Sequence, residues 1–279
     1  IYKNNILYIY IAIMTEMDKI MNSEDITDSS KKTYASMYKR LVDILGNDVL
    51  KTSNNEIIKK IKQVDASPNS IDGLIKIAII VKKKNKKATK TLDKFKATYQ
   101  AEIEKFNDEK KDTLSKNIKT PQDLLDYLEM LKNKDNKIVE YIVNYLIIFF
   151  NTRNKDLDLK IVNKKSDINS TDNFLYINKK TKKITFIRND YKTAKTYGKK
   201  ENQIDNKDFY NKVNDINLGK LINVAPSSLN KTIQRMTLDN IGTGGYMKII
   251  SSAAKPKEIK KISLNRGTSV DVVLSEYVV

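Results

Sequence analysis

Apolar residues recur every three or four positions in four successive blocks between Asp28 and Asn117, the period of helices with one buried face. In "TDSSKKTYASMYKRLVDILG" this period puts Tyr34, Met37, Leu41, Ile44 and Leu45 on one face, after Thr/Ser/Asp capping residues, and Gly46 ends the block. "SNNEIIKKIKQV" predicts a short second helix with a Ser/Asn cap, and "SPNSIDGLIKIAIIVKKKN" a third with Pro68 near its start. Residues 87–117 predict a long, lysine-rich fourth helix carrying Leu92, Phe95, Tyr99, Ile103 and Phe106. Thr120-Pro121 marks a new beginning, with Thr120 as cap and Pro121 in the first turn of a helix reaching about Lys134. "KIVEYIVNYLIIFF" reads as a buried helix, after which "NTRNKDLDLKIV" returns abruptly to polarity.

The period changes at 173–198. "NFLYIN" and "ITFIRND" are β-rich runs joined by "KKTKK", a hairpin pattern, and "YKTAKTYG" is a candidate third strand. Helical periods return over 205–239. A glycine turn, "IGTGGYMKIISSAA", leads into another helix, and "KPKEIKKISLNRGTSVDVVLSEYVV" gives two short ones. The pattern predicts a mainly α chain with a small β-hairpin or sheet, an α+β class. It predicts three parts: an N-terminal extension at 1–27, a helical domain at 28–117 and a mixed domain at 118–279.

Charge adds a partner to this picture. Lys+Arg number 52 against 34 Asp+Glu, a net charge of +18, which favours a polyanion such as nucleic acid. The bland reading is codon bias, because Lys, Asn and Ile are the residues of AT-rich codons. Arginine is sparse: Arg40, Arg153, Arg188, Arg235 and Arg266. A chain that otherwise uses lysine places a planar fork at these five positions, and no lysine copies that geometry. Neither Cys nor His is present, which removes disulfides, thiolate metal sites and the commonest general base. No metal or other cofactor is expected. Catalysis, if any, falls to Lys, Arg, Tyr, Ser/Thr and carboxylates.

The chain begins on Ile, and its apolar run Ile6–Ile13 is too short to span a bilayer and lacks a small-residue cleavage site. The expectation is a translation start at Met14 or Met17, with upstream sequence before it, no membrane partner and an intracellular location.

Three stretches resemble the tyrosine recombinase (integrase) family, and their order matches over roughly residues 30–279. "TPQDLLDYLEML…YLIIFFNTRNKDL" is similar to the family's first catalytic helices and its Thr-Gly-Leu-Arg-x-x-Glu-Leu box, with Thr152, Arg153, Asp156 and Leu157 in register. "FIRNDYKTAKTYG" is similar to the hairpin that carries the family's lysine, mapped to Lys192, with Lys195 close enough to take its place. "ISLNRGTSVDVVLSEY" is similar to Leu-Gly-His-Ser…Tyr. Gly267 and Ser269 match, Thr268 stands for the histidine, and Tyr277 follows at the spacing of the nucleophile. The chain stops two residues after Tyr277, sooner than is usual in the family.

The resemblance implies a helical, SAM-like core-binding domain followed by a catalytic domain, two domains clamping duplex DNA, and self-association as a tetramer on it. The implied activity is site-specific recombination or integration, by breaking and rejoining DNA through a 3′-phosphotyrosyl link. The composition suits a mobile element or a large DNA virus, placing the protein in host cytoplasm or nucleus or in a virion. The chemistry suits a chain without His or Cys. A phenol conserves the bond energy, an arginine fork neutralises the phosphoryl oxygens, and a lysine protonates the leaving 5′-oxygen.

One box departs. The family's His-x-x-Arg falls on "GTGGYMK", which has neither residue, so the second phosphate-clamping charge is sought at Lys248 or Arg266. The bland readings stand beside these. Tyr277 is one of 15 tyrosines and could be packing, and Arg153 could pair with Asp156 or Asp158. Gly242–Gly245 lacks the Lys-Ser/Thr of a phosphate loop. Two function classes stay open, a strand-exchange enzyme and a catalytically silent DNA-binding protein. An RNA-binding reading is disfavoured because the hairpin lacks a stacking-aromatic signature.

Overall fold

Local capping chemistry sets most helix boundaries. The computed structural model describes residues 17, 20, 22, 26, 28–115 and 119–278, so most of the expected extension at 1–27, with the Ile6–Ile13 run and Met14, lies outside the described residues. The chain divides into two compact units, Ile1–Thr113 and Leu114–Val279.

Among the described residues of the first unit lie α1 (Asp28–Leu45), α2 (Asn54–Lys62), α3 (Pro68–Lys84) and α4 (Lys90–Ser115). Ser53 caps α2 by accepting from the Glu56 N–H, and Ser67 caps α3 ahead of Pro68. Gly46 ends α1 with φ +65°, a conformation that costs glycine least. The buried side of α1 runs through Tyr38, Leu41, Val42 and Leu45, with Tyr34, Met37 and Ile44 half-buried beside it. These residues pack with Ile57, Ile61, Leu74, Ile75, Ala78, Val81 and Leu92. Met17 and Ile20, inside the segment that the sequence sets apart from the fold, are buried in this core. One lysine of this unit is structural: Lys82 is buried and donates to the Thr52 carbonyl at 2.7 Å.

The second unit opens on α5 (Pro121–Lys132), capped by a reciprocal pair. The Thr120 hydroxyl accepts from the Asp123 N–H, and the Asp123 carboxylate accepts from the Thr120 N–H at 2.6 Å. Next comes α6 (Ile138–Phe150), buried from Tyr141 to Ile147 and ended by Asn151 in the left-handed region, φ 52°. A five-stranded mixed sheet follows, in order β4-β3-β2-β1-β5: β1 (Leu159–Val162), β2 (Asn173–Asn178), β3 (Lys183–Arg188), β4 (Lys200–Ile204) and β5 (Gly219–Lys220). The expected hairpin is β2–β3, with Leu175 opposite Phe186. The expected strand in "YKTAKTYG" is instead a turn and a single helical turn, α7 (Ala194–Tyr197), and the strand starts after Gly198. Glycine allows the φ of +68° needed there, and the alternation of Lys-Glu-Asn-Gln-Ile then fits an edge strand.

The remaining helices are α8 (Lys207–Asn214), α9 (Pro226–Met236), α10 (Gly242–Ser252), α11 (Pro256–Arg266) and α12 (Val270–Tyr277). A buried polar link fixes α10 to α6. The Tyr246 hydroxyl donates to Asn144 and accepts from the Leu238 N–H, while Asn144 Nδ2 donates to the Met236 carbonyl. The class is mainly helical with one small mixed sheet. Among the described residues no helix is long and apolar enough to cross a membrane.

Candidate functional site

The last turn of α11 organises the site. A helix end leaves backbone carbonyls without intrahelical donors, and these carry the negative end of the macrodipole. Here four side chains from distant parts of the second unit supply the donors. Arg153 Nη1 donates to the Arg266 carbonyl at 2.5 Å and Arg188 Nη1 to that of Asn265 at 2.8 Å. Lys200 Nζ donates to the Leu264 carbonyl and, at 3.2 Å, to that of Asn265. Thr193 Oγ1 donates to the Gly267 carbonyl at 2.5 Å.

Gly267 makes this convergence possible. Its φ is +64°, and an added Cβ would lie 2.9 Å from Tyr191 Cε2 and 3.0 Å from both Lys200 Nζ and Thr193 Oγ1. The Thr268 N–H returns to the Ser263 carbonyl at 3.0 Å, closing the helix end. Thr268 itself is half-buried. Ser269 then caps α12 by accepting from the Val272 N–H. This is the structural content of the "NRGTS" stretch: a left-handed stop, a cap and a new helix that returns Tyr277 to the end of the preceding one.

Arg266 points the other way. It is buried, and its Nη1 donates to the carbonyls of Asn151 (3.1 Å) and Thr152 (3.4 Å), where α6 ends. Its Nη2 donates to the Tyr277 hydroxyl at 3.0 Å. Its Nε has no hydrogen-bond partner. Tyr277 is half-buried and packs against the small cluster of Met247, Ile259, Ile262 and Val273.

Positive charge exceeds negative at this point. Of Arg153, Arg188, Lys200 and Arg266, Arg188 is the one that pairs with the Asp156 carboxylate, Nη1 to Oδ2 at 3.4 Å, both side chains being buried. Burial holds the Arg153 guanidinium below its usual pKa, and the neighbouring Arg266 adds to the effect. Burial also raises the Asp156 carboxyl, against the opposing pull of Arg188. Lys200 is brought down to about 8, first by burial and then by the Arg188 charge. Guanidinium and ammonium groups crowded in this way suit the oxygens of an anion, and Arg153 keeps Nη2 and Nε for one.

Of the residues singled out in the sequence, Arg153, Arg266 and Tyr277 come together, with Thr268 in the turn between the last two. Lys192 and Lys195 do not join them. Both are exposed on the β3–β4 connection and hydrogen-bond to none of these groups. The lysine that reaches the cluster is Lys200, at the start of β4. Lys248 is half-buried on α10 and bonds to none of the cluster, whereas Arg266 lies within it. The glycines of "GTGG" serve packing. Gly242 takes φ +69° and donates its N–H to Thr237, and a Cβ on Gly245 would fall 2.7 Å from Ile241. Among the described residues no three acidic side chains converge as metal ligands. No known family, curated protein or solved structure matches this chain.

Proposed function

We propose that this protein breaks and rejoins DNA strands through Tyr277, in the manner of the tyrosine recombinases. The observation that carries the reading is the hydrogen bond from Arg266 to the Tyr277 hydroxyl, inside a cluster of cations that one carboxylate does not balance. In the proposed reaction a phosphodiester lies against Arg153, and the buried Arg266 holds the phenol beside it. Tyr277 Oη bonds to phosphorus, the bond from phosphorus to the 5′-oxygen breaks, and that oxygen takes a proton from Lys200. The phenol proton passes to solvent, so the proton count balances, and rejoining reverses each step. The hydrogen bond from Arg266 fixes where the phenol oxygen sits for that attack.

The second reading, a silent DNA-binding protein, has its own observation. Both terminal nitrogens of Arg266 already donate to protein acceptors and its Nε is buried, which leaves little of this guanidinium open to a phosphate. A nicked duplex that loses its cleaved end separates the two. The proposed reaction leaves a protein–DNA band on a denaturing gel, absent in Tyr277→Phe, while both proteins bind duplex equally. Binding without any band supports the silent reading.

A further inference from the structure

Arg188 is the last residue of β3 and 1% exposed, so DNA does not reach it. Its side chain nevertheless touches three segments that each carry one of the cations described above. Nη1 pairs with Asp156 Oδ2 at 3.4 Å; Asp156 follows Arg153 by one short helical turn and donates its N–H to the Arg153 carbonyl. Nη2 donates to Asn202 Oδ1 at 3.0 Å; Asn202 lies two residues after Lys200, on the same face of β4. Nη1 also donates to the Asn265 carbonyl at 2.8 Å, next to Arg266. In the sheet, Arg188 and Lys200 are direct cross-strand partners. The Phe186 ring covers the guanidinium, 5.1 Å from its Cζ.

We infer that Arg188 is a positioning residue, the single fork that sets Arg153, Lys200 and Arg266 in register around the Tyr277 hydroxyl. The inference rests on the proposed reaction for its purpose but on geometry for its existence. A lysine at this position would carry the charge without the fork, and so would not reach three acceptors at once. Arg188 also acts on Lys200 through its charge. The groups that face Lys200 are Arg188 from β3, Asp156 and Arg153 from the turn after α6, the Tyr191 and Tyr197 rings from the β3–β4 connection, and the α11 carbonyls. On its own strand, Glu201 is paired with Lys199. Among these charges Arg188 does most to push Lys200 down.

Two measurements test this, and they fail separately. The first is the NMR titration of Lys200 in 13Cε-lysine protein, assigned by the signal lost in Lys200→Arg. Wild type titrates near 8, Arg188→Gln moves the midpoint up toward the ordinary 10.5, and Arg188→Lys holds it close to wild type. A midpoint unchanged in a folded Arg188→Gln overturns the inference. Where Arg188→Gln does not fold, the paired variant Arg188→Met/Asp156→Leu removes both buried charges together, which buried pairs often tolerate. The second measurement is adduct formation by that paired variant and by Arg188→Lys. Each loses about a hundredfold in rate, the cost of a misplaced catalytic group, while duplex affinity stays within about twofold. Equal loss of affinity and rate assigns Arg188 a general structural role and overturns the inference. Wild type that forms no adduct sinks the proposed reaction, and the titration then decides the role of Arg188 alone.

Discussion

Arg266 and Tyr277 hold each other by two contacts. The guanidinium donates to the phenol oxygen at 3.0 Å, and its Cζ lies 4.6 Å from the centre of the same ring. The two residues sit on successive short helices, α11 and α12, separated by the Gly267 turn. Their meeting therefore depends on that turn keeping its left-handed conformation.

Gly267→Ala tests that dependence. A Cβ meets a positive φ and three close atoms, one of them the Lys200 ammonium. The strain alone is about 1–2 kcal/mol. Thermal unfolding is expected to drop by several degrees, and the Lys200 NMR signal is expected to move. An unchanged melt shows that the turn relaxes freely.

Removing the Asp156 carboxylate is expected to be more damaging. Asp156→Ala leaves the buried Arg188 without its counter-ion, which typically costs about 3–5 kcal/mol. The check is urea unfolding of the variant against wild type. A loss below about 1 kcal/mol means that Arg188 finds water or another acceptor.

Lys200 gives a pH signature. Its folded pKa lies near 8, below the ordinary 10.5, so the folded protein releases that proton first. Between these two values the unfolded chain binds more protons, and the Lys200 contribution to stability rises with pH across the window. Below about 8 the charged form is disfavoured by folding at full cost. Lys200→Met is expected to remove this slope from the pH dependence of unfolding. The adduct rate is expected to move the opposite way, falling above about pH 8 as the proton donor is lost.

Arg153→Ala is expected to cut the rate by a hundred- to a thousandfold, about 2.7–4 kcal/mol of transition-state stabilisation, with little change in fold. Duplex binding follows salt with a slope of about −0.9 per neutralised phosphate, so a variant lacking one phosphate contact flattens the slope by about one. Single-turnover kinetics and salt titration check the two halves. A variant with full rate and an unchanged slope removes Arg153 from the site.

Much of the architecture was legible because local chemistry decides it. Ser53, Ser67, Thr120 and Pro121 announce their helices, and the β2–β3 hairpin follows from β-rich runs on either side of a lysine turn. Short elements were harder to see. Leu159–Val162 looked polar because of the run before it, although it is buried in the sheet. The Tyr191–Gly198 run has strand-like composition, but Tyr191 turns in to donate its hydroxyl to the Gly198 carbonyl and the chain curls there. That curl is why the lysine that reaches the α11 carbonyls is Lys200 and not Lys192. Gly198 before a polar alternation was the available signal. Arg188 was invisible as a hub because its partners Asp156, Asn202 and Asn265 are brought together by the sheet and the α11 end, over 77 residues of sequence for the farthest. The contact of Arg266 with Tyr277 was legible only as one of two candidates, since it depends on the sign of φ at Gly267.

Peptide mapping shows whether Tyr277 is the nucleophile of the proposed reaction. Protein trapped on a nicked duplex is digested with nuclease and protease, and the peptide carrying residual nucleotide is sequenced by mass spectrometry. A phosphate-linked nucleotide is expected on Tyr277, none elsewhere, and no modified peptide from Tyr277→Phe. A nucleotide on any other residue, or none from wild type that binds duplex fully, contradicts that role.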